Sequence, residues 1–98
     1  MAEKKRKKID YEALQSSFMQ IPMMKADIAR GLLDLGVREY YELSGRAPEV
    51  LADAMTDRDP ALRTIPDLLE RLQLAVYFVE TPDHDPRKLK LSYWTQQQ

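Results

Sequence analysis

The sequence predicts an all-α protein, a compact bundle of five or six short helices. Three observations predict it. Apolar residues recur three and four apart, the spacing of one helix face. No stretch shows the period-2 alternation of a half-buried strand. Prolines and capping side chains stand where helices should begin, and glycines where they should end. The 98 residues make one domain, long enough to bury a core without staples.

The elements follow in order. Residues 1–8 are charged and carry no apolar anchor, so they are expected to be a disordered arm ahead of a domain over 9–95. Asp10 should cap a first helix over about 11–19, with Tyr11, Leu14 and Phe18 on one face. Pro22 stops it by biasing Ile21 away from the α region. A second helix is expected from about 25 to 35, its stripe Ile28, Leu32 and Leu35 widened by Leu33. Gly31 within it weakens the helix, which suggests close approach of a neighbour such as the first helix. Gly36 suits the left-handed position after the last turn.

A short helix over about 38–43 should follow, closed by Gly45. Pro48 suits the first turn of a helix over 48–55 that buries Val50, Leu51 and Met55. Asp59-Pro60 repeats the cap-then-proline signal for a single turn. Pro66 should start the longest helix, about 66–80. Leu68, Leu69, Leu72, Val76 and Val79 give it a broad apolar face, so it is the expected central helix. Asp85-Pro86 opens a last turn. Leu89, Leu91, Tyr93 and Trp94 should fold the tail back, and 96–98 should fray.

Composition narrows the function. There is no cysteine, which excludes disulfides, zinc–thiolate sites and thiol nucleophiles and fits a reducing compartment. No run approaches the ~18 apolar residues of a membrane span, and no apolar stretch follows the basic start, so a cytosolic location is expected. Net charge is −1, but it is unevenly spread. Lys4, Lys5, Arg6, Lys7 and Lys8 against Glu3 give the arm +4 and leave −5 elsewhere. A basic arm on a mildly acidic body suits nucleic-acid contact; a solvated terminus has the same composition.

Residues 21–36 are the most informative stretch. An apolar helix runs into Ile21-Pro22, a tight turn follows, and an alanine-bearing amphipathic helix ends at Gly36. This is the shape of a helix–hairpin–helix (SAM-like) module that contacts the DNA backbone. The intact hairpin reads Gly-apolar-Gly, with alanine four residues after the second glycine. Here Met23 and Lys25 stand at the glycine positions, Met24 at the apolar one and Ala29 at the alanine. Glycine serves such a hairpin twice, by permitting positive φ and by letting a phosphate approach closely. Met23 and Met24 put thioethers in that space, and Lys25 can replace a backbone contact by a charge.

Two segments extend the likeness. One runs from Ile21-Pro22 through Gly36-Val37 to Tyr41-Glu42-Leu43 and Gly45-Arg46-x-Pro48-Glu49. The other is Leu74-Ala75-Val76-Tyr77-Phe78-Val79-Glu80-Thr81-Pro82-Asp83, continuing to Asp85-Pro86, Leu89 and Trp94. Together they cover about residues 18–94, and the chain resembles the small bacterial pathogenicity-locus family, some of whose members are labelled mitomycin-resistance proteins. The resemblance implies a helix–hairpin–helix-like fold and no established enzymatic activity. The chain departs from the pattern at both hairpin glycines and lacks the cysteines many relatives carry.

The candidate nucleic-acid contacts are therefore Lys4, Lys5, Arg6, Lys7 and Lys8 in the arm, with Met23, Met24, Lys25, Ala26 and Arg30 at the hairpin. Asp27 and Asp34 on the same helix oppose a phosphate. The competing reading makes Met23-Met24 an apolar knob for a protein partner. No cofactor, metal site or catalytic residue is expected. Asp83-His84-Asp85 reads as an exposed turn, because adjacent residues rarely converge on one ion. Asp53, Asp57 and Asp59 read as a helix end and a cap. Ser16, Ser17 and Ser44 have no histidine partner in view. Tyr40-Tyr41 and Tyr93-Trp94 could stack on bases, but at these positions they suit core or lid roles.

Overall fold

The computed structural model describes residues 10–96; the basic arm 1–8, Ile9 and the last two residues lie outside. The described residues hold five α-helices and four 3₁₀ turns, with no strand. The α-helices are α1 (Tyr11–Leu14), α2 (Ala26–Asp34), α3 (Pro48–Arg58), α4 (Leu68–Glu80) and α5 (Leu91–Thr95). The 3₁₀ turns are Ser17–Gln20, Tyr40–Leu43, Pro60–Thr64 and Pro86–Leu89.

Local chemistry sets most of the boundaries. The Asp10 carboxylate accepts the Ala13 amide at 3.1 Å and starts α1. Asp59 accepts the Ala61 amide and Asp85 the Arg87 amide, each just before a proline. α2 ends in a Schellman motif. The Val37 amide bonds the Leu32 carbonyl, the Gly36 amide bonds the Leu33 carbonyl, and Gly36 takes φ +93°. Val37 and Leu32, brought together there, are both fully buried.

Four expectations need correction. The first helix stops at Leu14 rather than 19, because the Ser16 hydroxyl donates to the Ala13 carbonyl and its backbone turns extended. Phe18 reaches the core from the following 3₁₀ turn, while Tyr11 is 62 % and Leu14 45 % exposed. α3 runs on to Arg58, and Val50 points outward at 66 % exposure, leaving Leu51 and Met55 to anchor it. α4 starts at Leu68, two residues past Pro66, because Asp67 sits in the left-handed region at φ +59°. Gly31 does admit a close neighbour, but not the first helix. A Cβ there would lie 2.6 Å from Met55 Cε and 3.1 Å from Leu62 Cδ1, so α3 and the Pro60–Thr64 turn are what it admits.

α4 is the central helix. Leu72, Leu74 and Ala75 are fully buried, and the helix packs against α3, α5 and the Tyr40–Leu43 turn. The tail folds back as expected. Trp94 packs on the core and its indole N–H donates to the Lys88 carbonyl at 2.9 Å. α2 packs against α1 and also approaches α3, and in the turn before it Met23 and Lys25 are exposed.

Candidate nucleic-acid interface

The turn entering α2 is built by Pro22. With φ held near −65° at the second position, the Ile21 carbonyl accepts the Met24 amide at 3.3 Å. Met23, at the third position, takes φ +66°. This is the backbone of a type II turn, which asks for glycine at that site. Met23 thus adopts a conformation that favours glycine, at a strain cost. Lys25 differs. At φ −114°, ψ 150° it is ordinary extended backbone, and nothing in its conformation calls for glycine.

The side chains divide by role. Met24 and Ala26 pack against the core, and Ala29 is fully buried. Met23 is 47 % exposed. Lys25 is exposed and, among the described residues, its ammonium has no hydrogen-bond or ionic partner. No side chain caps α2. Among the described residues the amides of Ala26, Asp27 and Ile28 have no backbone acceptor; Ile28 is fully buried, so only the start of the helix at Ala26 and Asp27 faces solvent. Asp27 in the first turn is the opposing charge.

Arg30 is not part of this opening. Its guanidinium donates to Asp10 at 2.9 Å, to Asp34 at 3.0 Å and to Glu12, fastening α1 to α2. The hydrogen bond from Arg30, with the Ala13 amide second, holds the Asp10 carboxyl below its ordinary pKa; Arg30 does the same to Glu12. Those carboxylates in turn hold the guanidinium further above its already high range. Arg38 joins the network through Glu12 at 3.4 Å. An arginine engaged by three carboxylates offers little charge to a phosphate. The basic arm, Lys4 to Lys8, lies outside the described residues.

A residue that the sequence reading passed over takes the place Arg30 leaves. Arg71 of α4 donates from Nη1 to the Met23 carbonyl at 2.8 Å and from Nε to the Pro66 carbonyl at 3.1 Å. No signal in the sequence marks it. An arginine in mid-helix reads as solvated, and its acceptor lies 48 residues away.

With this geometry in view, the chain can be set beside known proteins. It matches no family model, no curated protein and no solved structure. The resemblance drawn from the sequence rests on its residues alone.

The other chemical candidates have structural occupations. His84 stacks on Phe78 with ring centres 4.4 Å apart and bonds the Phe78 carbonyl at 2.7 Å. A carbonyl only accepts, so Nε2 is the donor in this bond. Ser17 donates to Glu39 at 2.9 Å and accepts the Tyr40 amide at 2.8 Å, tying two 3₁₀ turns together. Asp59 is a cap, Asp57 lies 3.9 Å from Arg63, and Asp53 is exposed. Among the described residues no three His, Asp or Glu side chains converge on a metal-sized site. Tyr40 and Tyr41 meet edge to face, with Tyr40 against the core.

Proposed function

We propose that this protein is a small helix–hairpin–helix-like module that contacts the nucleic-acid backbone weakly and without sequence preference, through the Ile21–Ala26 turn and the basic arm. One observation carries the reading. Met23 holds the left-handed φ of a hairpin glycine at the mouth of an uncapped helix whose first residue outside is the exposed, unpaired Lys25. Open amides and the positive end of the helix dipole favour an anion at that point. The described residues carry an excess of acidic groups, so the turn alone gives low affinity and the arm supplies the attraction over distance.

The test is the anisotropy of a labelled short duplex against salt. Binding at ~50 mM salt should weaken as salt rises, with a slope of about −0.9 per phosphate neutralised. Lys25→Ala should lower the slope by about one. Removal of residues 1–8 should weaken binding further without unfolding the body. A chain that leaves the duplex unbound at ~50 mM salt is not a nucleic-acid module. The second reading, a protein-contact knob, is supported by the exposure of the Met23 thioether. It gains if Met23→Ala abolishes capture of a defined protein partner while duplex binding is absent.

A further inference from the structure

Only two non-glycine residues among the described ones take positive φ, Met23 at +66° and Asp67 at +59°. They lie more than forty positions apart in sequence, yet one side chain ties their turns together. Arg71 bonds the carbonyl of Met23 itself and that of Pro66, the neighbour of Asp67. Backbone held in sparsely populated conformations persists when its surroundings over-determine it, and such positions cluster at binding sites. Here the restraint is a guanidinium, which is itself a ligand for anions.

The charge on this guanidinium differs from that on Arg30. Arg30 is met by Asp10, Glu12 and Asp34. Arg71 is held by two carbonyls, and among the described residues no carboxylate lies within ion-pair distance of it. Of its five N–H donors two are engaged, and neither is on Nη2. What remains is a positioned donor set of the kind that meets phosphate oxygens, at no further cost in ordering the side chain. Lys25, the unpaired ammonium, stands two residues beyond the carbonyl that Arg71 holds.

We propose that Arg71 and Lys25 together grip one phosphodiester group at the hairpin, Arg71 through its free guanidinium donors and Lys25 as a mobile point charge. This deepens the nucleic-acid reading and rests on it. Asp27, two residues after Lys25, and Asp67, four residues before Arg71, add negative charge near the two cations and oppose a second phosphate.

The experiment uses the full chain, isotope-labelled, with a short DNA duplex added at low salt. The Arg71 Nε–H resonance should shift together with the amides of Lys25 and Ala26. R71Q should lower the salt slope by about one, and R71K should keep the slope but lose affinity, because a single ammonium nitrogen cannot span the two carbonyls that Nε and Nη1 reach separately. Since R71Q could loosen the turn, M23G/R71Q serves as its control. Glycine removes the strain that the clasp restrains, and this variant should show the same loss of slope in a folded body. Shifts at Lys25 and Ala26 with Arg71 unmoved, and a slope unchanged in M23G/R71Q, would overturn the role of Arg71 and leave the hairpin reading intact. A duplex that moves none of these resonances overturns both.

Discussion

The two ends of α2 solve the same problem in opposite ways. At the C-terminal end, every local rule is obeyed. Glycine takes the left-handed position at φ +93°, two backbone hydrogen bonds close a Schellman motif, and Val37 packs beside Leu32 in the core. At the N-terminal end, the left-handed position is filled by methionine, the N-cap is a lysine without a capping bond, and the amides of Ala26 and Asp27 have no backbone acceptor. The first end is held by its own sequence neighbours. The second is held from α4, through Arg71. Proteins tend to break a local rule at functional sites and compensate for it elsewhere, which is the ground for testing this end as the proposed site.

The comparison can be broken most strongly at the obedient end. Leu32 is fully buried, so Leu32→Ala should cost on the order of 2–5 kcal/mol in denaturant unfolding. A cost below ~0.5 kcal/mol, typical of a surface site, would mean that the Schellman contact is not part of the core.

Gly36→Ala comes next. A Cβ at Gly36 would meet nothing within 4 Å, so the substitution reads backbone strain alone. The expected loss is about 1–2 kcal/mol, the penalty of a left-handed L-residue. A neutral result in a thermal melt would say that α2 ends differently from the motif described.

Met23→Gly tests the other end and should have the opposite sign. Relief of the same penalty is partly offset by the roughly 0.5–1 kcal/mol that glycine loses in chain entropy. The thermal midpoint should therefore rise slightly. A fall would show that the half-exposed Met23 side chain contributes packing that outweighs the strain.

Acid gives the smallest effect and touches the fastening between α1 and α2. The folded pKa values of Asp10 and Glu12 are depressed, chiefly by hydrogen bonds from Arg30. Their contribution is present above the unfolded carboxylate range of about 4 and is lost as pH falls through the lower folded values. The melting midpoint should drop below pH ~4 more steeply for the parent than for Arg30→Gln, which keeps only the smaller shifts from the Ala13 amide and Arg38. Equal pH profiles would mean that these exposed pairs contribute nothing measurable, as many surface pairs do.

The sequence by itself determined the helical class, the order of the elements and most of their ends. Asp10, Asp59 and Asp85 act as caps, Pro48, Pro60 and Pro86 open their turns, and Gly36 closes α2, because each works on backbone within a few residues. It also located the turn before α2, but marked two glycine positions there, Met23 and Lys25, of which only Met23 takes a left-handed φ. What it could not carry were choices between faces and partners. Val50 and Leu51 are equally apolar, and only the packing of α3 turns one outward. Gly31 announces a close neighbour without naming Met55. Arg30 and Arg71 are alike as letters, yet one is met by three carboxylates and the other is left with free donors at the turn. Caps and turns are decided by hydrogen bonds between near neighbours, which sequence spacing records. The availability of a charge is decided by which groups the fold brings within about 3 Å of it, and that is a property of the tertiary structure.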